Sequence, residues 1–294
     1  MEIIISAIGQ GMLWAPLGIG LFLTFRILNF PDMTVEGTFP LGAAVAVTMI
    51  GNGISPFIAT VAGALTGAAA GLVTGLLYTK GKVPILLAGI LTMTAIYSIN
   101  LRIMGQANRS LLNLPTLFSA KLLTNLPNGF PVILVGTVII TVIVILTALF
   151  LKTELGQVFI ATGDNVDMSR SLGINTDNMT ILGLMVANAL IGLGGALVAQ
   201  NNGFADVNMG IGTIVVALAS IIIGEVIFSG QMSLTDRLIT VVFGSIIYRF
   251  VLVVVLAIGF SADDLKLVSA VILGLALMLP NFGKQLSMKY KERH

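Results

Sequence analysis

Pro131-Val132-Ile133-Leu134-Val135-Gly136-Thr137-Val138-Ile139-Ile140-Thr141-Val142-Ile143-Val144-Ile145-Leu146-Thr147-Ala148-Leu149-Phe150-Leu151 is a run of 21 residues without a charge. As a helix rising 1.5 Å per residue it is about 31 Å long, close to the roughly 30 Å hydrocarbon core of a bilayer. Seven further apolar stretches on either side read the same way: Ile8–Asn29, Ile54–Thr79, Val83–Met104, Met179–Ala199, Gly210–Phe228, Leu238–Gly259 and Leu265–Asn281. A ninth, Gly37–Ile50, is apolar but short, and reads as half of a broken or re-entrant helix. The expectation is an all-α, polytopic bundle of transmembrane helices in a single domain covering residues 1–294.

Composition points the same way. Of the 294 residues 56% are apolar and only 10% charged, with a mean hydropathy of +1.04, whereas soluble domains carry about 25% charged residues. A bilayer supplies the solvent that so apolar an exterior needs. The chain has no cysteine, which excludes disulfides and thiol chemistry, and its one histidine is His294. That leaves no histidine-based catalysis and little for a metal site. A net charge of +2 gives no reason to expect a nucleic-acid partner. Met1 and Glu2 run directly into apolar residues without a basic n-region, so no cleavable signal is expected.

Lys and Arg concentrate in loops on the cytoplasmic side of a membrane protein. Lys284, Lys289, Lys291 and Arg293, in the tail 284–294, place the C-terminus in the cytoplasm; Lys80, Lys82, Lys152, Arg170 and Arg237 then fall on the same side. Arg102, Arg109, Lys121 and Lys266 fall outside. The side of the N-terminus depends on whether Gly37–Ile50 crosses fully. The external segment 105–130 and the internal segment 152–178 are too long for simple connections, and read as docking surfaces on both faces.

Gly63, Gly67, Gly71 and Gly75 recur every four residues, and Gly192, Gly194 and Gly195 repeat the habit. Such stripes bring helix backbones close in lipid, either within one chain or between subunits. Two polar stretches interrupt the apolar sequence: Asn29-Phe30-Pro31-Asp32-Met33-Thr34-Val35-Glu36-Gly37-Thr38, and Asn201-Asn202-Gly203-Phe204-Ala205-Asp206-Val207-Asn208-Met209-Gly210-Ile211-Gly212-Thr213. Both run Phe-x-Asp and then Gly-Thr into an apolar helix. Irregular polar backbone at membrane depth is tolerated only beside protein or a water-filled cavity. Asn29, Phe30, Asp32, Thr34, Glu36, Asn201, Asn202, Phe204, Asp206 and Asn208 are therefore the candidate solute pathway, the two stretches facing each other on the outer side. The plainer alternative is a pair of turns in which Asp32 and Asp206 cap the following helices.

Arg249 falls near the middle of a span, so it must face the interior with a carboxylate, carbonyl or water partner. Arg26 and Glu225, nearer span ends, read as an ion pair or as snorkelling groups. No G-x-x-x-x-G-K-[ST] loop, G-x-S-x-G or H-E-x-x-H motif occurs. If ATP drives this protein, another polypeptide hydrolyses it.

The internal segment reads Thr153-Glu154-Leu155-Gly156, then Ala161-Thr162-Gly163-Asp164-Asn165, then Ser169-Arg170-Ser171-Leu172-Gly173-Ile174-Asn175. It resembles the cytoplasmic coupling loop of the ABC-importer permease family that serves branched-chain amino acids, ribose and related sugars, and nucleosides. Met168 or Ser169 stands where members carry Ala. Ile27-Leu28-Asn29-Phe30 resembles the family's V-N-F element at the end of its first span. Gly192–Ala196, Asp264-Leu265-Lys266 and Leu279-Pro280-Asn281-Phe282 also fit, so the resemblance covers most of the chain. Gly203–Thr213 looks closest to a branch labelled tryptophan/tyrosine or uncharacterised import systems.

The resemblance implies a type II-like importer permease with broken or re-entrant helices, not an enzyme, with Glu154, Leu155, Gly156, Gly163, Asp164, Asn165, Arg170 and Gly173 as the ATPase-coupling residues. It implies two ABC ATPase subunits carrying ATP and Mg, an extracytoplasmic substrate-binding protein or lipoprotein, and a second permease copy forming a homodimer in the cell membrane. The favoured solute is an aromatic amino acid such as tryptophan or tyrosine; branched-chain amino acids, sugars and nucleosides are the alternatives within the class. A secondary transporter with inverted repeats would explain the paired broken stretches but not the coupling motif. An intramembrane enzyme would need a paired nucleophile and base or a metal cluster in the membrane, for which the spans offer no His, no Cys and no clustered carboxylates, and a channel lacks a filter or charged ring.

Overall fold

A computed structural model of the protein describes residues 2–119, 127, 129–228, 230, 232–261 and 264–291, with side chains inside 4–278. Lys121 and the side chains of the basic tail lie outside the described residues. The helices are α1 (Glu2–Leu21, continued by a π turn Phe22–Ile27), α2 (Val35–Gly51), α3 (Pro56–Thr79), α4 (Ile85–Met104), α5 (Phe130–Lys152), α6 (Glu154–Asp164), α7 (Val166–Ser171), α8 (Thr176–Asn202), α9 (Thr213–Ile227), α10 (Leu234–Ala257) and α11 (Leu265–Lys291). Two three-residue strands, β1 (Asn108–Ser110) and β2 (Phe204–Asp206), pair antiparallel.

Among the described residues six helices are long and apolar enough to cross a membrane: Ile4–Ile27, α3, α4, α5, α8 and α10. Three shorter apolar helices are Val35–Gly51, Thr213–Ile227 and Leu265–Met278. The expected span Gly210–Phe228 is thus a 15-residue helix, about 22 Å long, short of the roughly 30 Å core. The turn that ends at Gly212, where φ is +85°, uses up its first residues. Leu87, Leu91, Val138 and Leu149 are exposed on the outer helices, as a lipid-facing surface requires.

Polar residues fix the helix ends as local chemistry dictates. The Ser55 hydroxyl accepts from Ile58 N–H with Pro56 in the first turn. Ser233 and Asp236 form a capping box on α10. Gly105 and Gly203, with φ of +74° and +76°, end α4 and α8 in the left-handed conformation.

α8 runs through the centre of the bundle, with Ala187, Asn188 and Ile191 fully buried. The glycine stripe of α3 packs against it within the same chain. A Cβ on Gly67 would run into the Asn188 carbonyl, and one on Gly71 into the Leu184 carbonyl. Gly192 and Gly195 bring α8 equally close to α2, where the carbonyls of Gly192 and Phe39 leave no room for a side chain at Gly42 and Gly195. Between the two readings of the stripe, the structure therefore supports the intrachain one.

Helices α1–α4 and α8–α11 form two units with the same order of packing. α3 lies on α8 as α10 lies on α1, and α2 touches α3 and α4 as α9 touches α10 and α11. Gly20 sits against Ala187 and Ile191, whereas Gly194 sits against Pro16 and Leu17, so α1 and α8 are antiparallel. The units thus point in opposite directions, each with a broken segment after its first helix. The chain from Asn29 to Gly51 crosses the whole bundle: Phe30 packs edge-on against Tyr78 at the end of α3, and Gly51 meets Arg109 beside β1. α1 begins on the ribbon face, where Ile5 meets Gly129; that is the face opposite α6 and α7.

Replacing Gly71 by Val is expected to lower the detergent unfolding midpoint by an amount corresponding to at least about 1–3 kcal/mol of overpacking. Gly274→Ala, inside α11 where an added Cβ meets nothing within 4 Å among the described residues, should keep the midpoint or raise it slightly.

Candidate functional site

The first broken segment starts where the π turn of α1 runs out. Asn29 adopts φ of +53°, a left-handed conformation that Asn tolerates better than most residues. Its Nδ2 donates to the Gly163 carbonyl on α6 at 3.0 Å. A Cβ at Gly163 would collide with the carbonyl of Ile27, so α6 lies directly on the end of α1. Phe159, fully buried, anchors the same helix against Gly183 and Phe150.

From there the segment turns into the interior. Asp32 is 2% exposed; its Oδ1 accepts from Thr34 N–H at 2.8 Å and its Oδ2 from Asn188 Nδ2 at 2.7 Å. Asn188 Oδ1 accepts from the Thr38 hydroxyl at 2.8 Å. The hydroxyls of Thr34 and Thr74 share a 2.8 Å hydrogen bond. Five side chains, from the segment before α2 and from α2, α3 and α8, thereby close one network, as buried polar groups away from water must. Asp32 is folded onto backbone and Asn188 rather than open to a cavity.

The second broken segment lies at the other end. Asp206 Oδ1 accepts from Asn208 N–H at 2.7 Å, and Oδ2 from Asn108 Nδ2 at 3.2 Å across the ribbon. Phe204 is exposed on β2, Asn202 is exposed at the end of α8, and Asn201 lines a small cleft with Ile5 and Gly129. The two segments touch at one point: Glu36 Oε1 accepts from Gly212 N–H at 2.9 Å, and Gly210 is pressed against the Glu36 carbonyl. The expected pairing of both stretches on one side is therefore corrected. Asn29 and Phe30 belong to the α6 face, Asp32 and Thr34 to the interior, and only Glu36 meets the second stretch. The reason is the antiparallel order of the two units, which carries their broken segments in from opposite faces.

The coupling segment forms two short helices. Thr153 caps α6 by accepting from Gly156 N–H at 3.1 Å, and Asn165 caps α7 by accepting from Met168 N–H at 2.9 Å. Gly173 makes a turn at φ of +84°. Gly156 does not; it is needed because Phe150 and Leu151 lie against its Cα. Arg170 Nε donates to Thr176 Oγ1 at 2.9 Å, and its guanidinium lies 3.6 Å from Asp177, bracing the loop from within. Leu155, Met168 and Leu172 are 56%, 61% and 68% exposed, an apolar surface on the outside of both helices. Glu154 and Asp164 are also exposed there.

Arg249 faces the interior, but its partner is an aromatic ring. The guanidinium carbon lies 3.8 Å from the Trp14 ring centroid, where the negative face of the indole stabilises a cation. Arg26 pairs with Glu225 through both carboxylate oxygens, Nε to Oε1 at 3.0 Å, tying the end of α1 to α9. The sequence reading passed over Asn188, Gln200 and Asn100. For Asn188 and Asn100 the signal is present, since each is an amide inside an apolar run and such groups are costly in lipid unless they have a task; Gln200 lies one residue past the end of its run.

A family model described as branched-chain amino acid transport system / permease component matches residues 3–279. The chain belongs to that family. A tyrosine transport system permease protein of Clostridioides difficile is 43% identical over 273 residues, covering 93% of this chain and 90% of that one. An uncharacterized protein of Rickettsia prowazekii is 37% identical, covering 94% and 97%. A ribose import permease protein of Escherichia coli is 27% identical, covering 85% and 77%. No solved structure matches the chain. This member of the permease family is a multi-pass membrane protein of a transport system, and its inverted units are compatible with that membership.

Asp32→Ala strands the Asn188 donor and the Thr34 N–H in the interior and is expected to cost roughly 1–3 kcal/mol of stability. Asp206→Ala, on the half-buried ribbon, should cost no more than about 1 kcal/mol. Unfolding midpoints of the purified variants distinguish the two.

Proposed function

We propose that the chain is the membrane subunit of an ATP-binding cassette importer and forms the path for a small solute, an amino acid with tyrosine or tryptophan favoured. The observation that carries this reading is the clasp between α6 and the first broken segment, at Gly163, Ile27 and Asn29. It links the apolar surface of Leu155, Met168 and Leu172 to backbone inside the bundle. Two ATPase subunits, holding ATP and Mg, seat on that surface, one under each copy of a homodimer. Their closure pushes α6 against the end of α1, a small displacement that a bistable packed interface can amplify. Glu154, Gly156, Asp164, Asn165, Arg170 and Gly173 hold the two helices in the shape the ATPase reads.

In this reading the α6–α7 face and the C-terminus are cytoplasmic, in agreement with the Lys and Arg of the adjoining loops. A substrate-binding protein or lipoprotein docks on the ribbon face, where Phe204 is exposed. Solute enters beside Glu36 and Asn208 and leaves past the α6 clasp. The amino-acid assignment rests on the 43% identical tyrosine permease; the ribose permease at 27% supports the mechanism rather than the cargo.

Uptake by proteoliposomes containing the permease, its ATPase and its binding protein tests the reading. Labelled tyrosine or tryptophan should accumulate with ATP and be outcompeted by neither ribose nor a nucleoside. Accumulation of ribose instead assigns a sugar, and uptake that follows an ion gradient without ATP overturns the class. Gly163→Val should leave basal ATP hydrolysis within about twofold while cutting uptake at least tenfold, as expected when a coupling contact rather than chemistry is lost. Gly173→Leu, strained at positive φ, should show the same separation of hydrolysis from uptake.

A further inference from the structure

An open pocket of about 330 Å³ lies between α2, α4 and the turn after β2. None of the α4 residues in it was part of the sequence-based pathway. Glu36, Thr94, Tyr97, Ser98, Asn100 and Asn208 line it. Asn100 is 1% exposed, yet among the described residues neither its Oδ1 nor its Nδ2 has a hydrogen-bond partner. A buried amide with both ends unpaired is uncommon and calls for an explanation in use rather than in packing. Among the described residues Glu36 is held by Gly212 N–H through Oε1, and a carboxylate has several more acceptor positions. Thr94 donates its hydroxyl proton to the Ile90 carbonyl at 2.8 Å, which leaves its oxygen free to accept. Tyr97 is 46% exposed and offers a ring face at the mouth.

We infer that this pocket is a transient station for a solute carrying a primary ammonium and a carboxylate, held between Glu36 and Asn100 with its side chain along Tyr97. The ammonium donates to Glu36 and the Thr94 oxygen, which are acceptors. The carboxylate accepts from Asn100 Nδ2 and the Ser98 hydroxyl, and Asn208 closes the site from the turn. A sugar satisfies the hydroxyls but leaves the Glu36 charge without a cationic partner, which sets the preference. The contacts are few and one side is open, so the solute is held briefly, as a conduit requires. Because Asn208 and Ile211 come from the second broken segment and Glu36 from α2, motion of either unit opens or closes the station. This deepens, and rests on, the permease reading above.

The chain has no cysteine, so Ser98→Cys provides a single reporter thiol. The variant, assembled with its ATPase and binding protein in proteoliposomes, is first assayed for uptake and then treated with a cationic methanethiosulfonate from the ribbon side. The thiol should react, and L-tyrosine should slow the reaction roughly tenfold at about ten times its dissociation constant, the protection that mass action gives. Adding Glu36→Gln or Asn100→Leu should abolish protection. Asn100→Leu should keep or raise the unfolding midpoint, because it removes an unpaired amide; Asn100→Ala serves if the larger side chain prevents folding. A thiol that does not react, or reacts equally fast with L-tyrosine, L-tryptophan and L-leucine present, overturns the station. Protection by D-ribose but by no amino acid overturns the ammonium assignment. In either case, continued ATP-driven uptake of an amino acid leaves the permease reading standing, whereas a complex that imports none of these solutes overturns that reading itself.

Discussion

The Asp32–Asn188 contact lies where three helices and a broken segment meet, and the bundle is arranged around it. Lipid offers no hydrogen bonds, so a segment that leaves the helical conformation inside a membrane must find partners in the protein. Thr34, Thr38 and Thr74 supply the remainder of that network. Asn188 can reach α2 only because glycines along α3, α8 and α2 let the backbones come within a side chain's thickness of one another. Small residues and buried polar groups therefore depend on each other here. The glycines allow close approach, and the network fixes which close approach is made.

The same logic explains the second broken segment. Its turn is satisfied by Asp206 folding onto Asn208, by the two-stranded ribbon with residues 108–110, and by Glu36 reaching the Gly212 amide. Glu36 thus ties the first broken segment's helix to the turn of the second, one of several polar contacts that join the two oppositely directed units. At the other face, Gly163 lies on the end of α1 with no space between them. No flexible loop separates α6 from the start of the first broken segment. Arg26–Glu225 and Arg249–Trp14 brace α1 against α9 and α10. Charges that lipid would penalise are in this way used to hold the two units in register.

Much of this was legible in the sequence. Charge-free runs such as Pro131–Leu151 determined the membrane class, because hydropathy over about 20 residues leaves a helix no other solvent. Thr153, Asn165, Asn175 and Ser233 accept from backbone N–H groups of the helices they precede, a capping chemistry that needs only local neighbours. The polar interruptions at Asn29–Thr38 and Asn201–Thr213 marked the broken segments, and the spacing of glycines on α3 marked a close-packed face. What only the tertiary structure decided is which groups meet. Asn29 belongs with Gly163, Asp32 with Asn188, Asp206 with Asn108, and Glu36 with Gly212, at sequence separations that no local pattern encodes. The antiparallel order of the two units decided the rest, since it sends the broken segments in from opposite faces and leaves Asn100 and Glu36 lining one pocket. Hydrophobic periodicity specifies that a helix crosses, whereas the choice of its neighbours depends on backbone clearance and hydrogen-bond complementarity between distant parts of the chain.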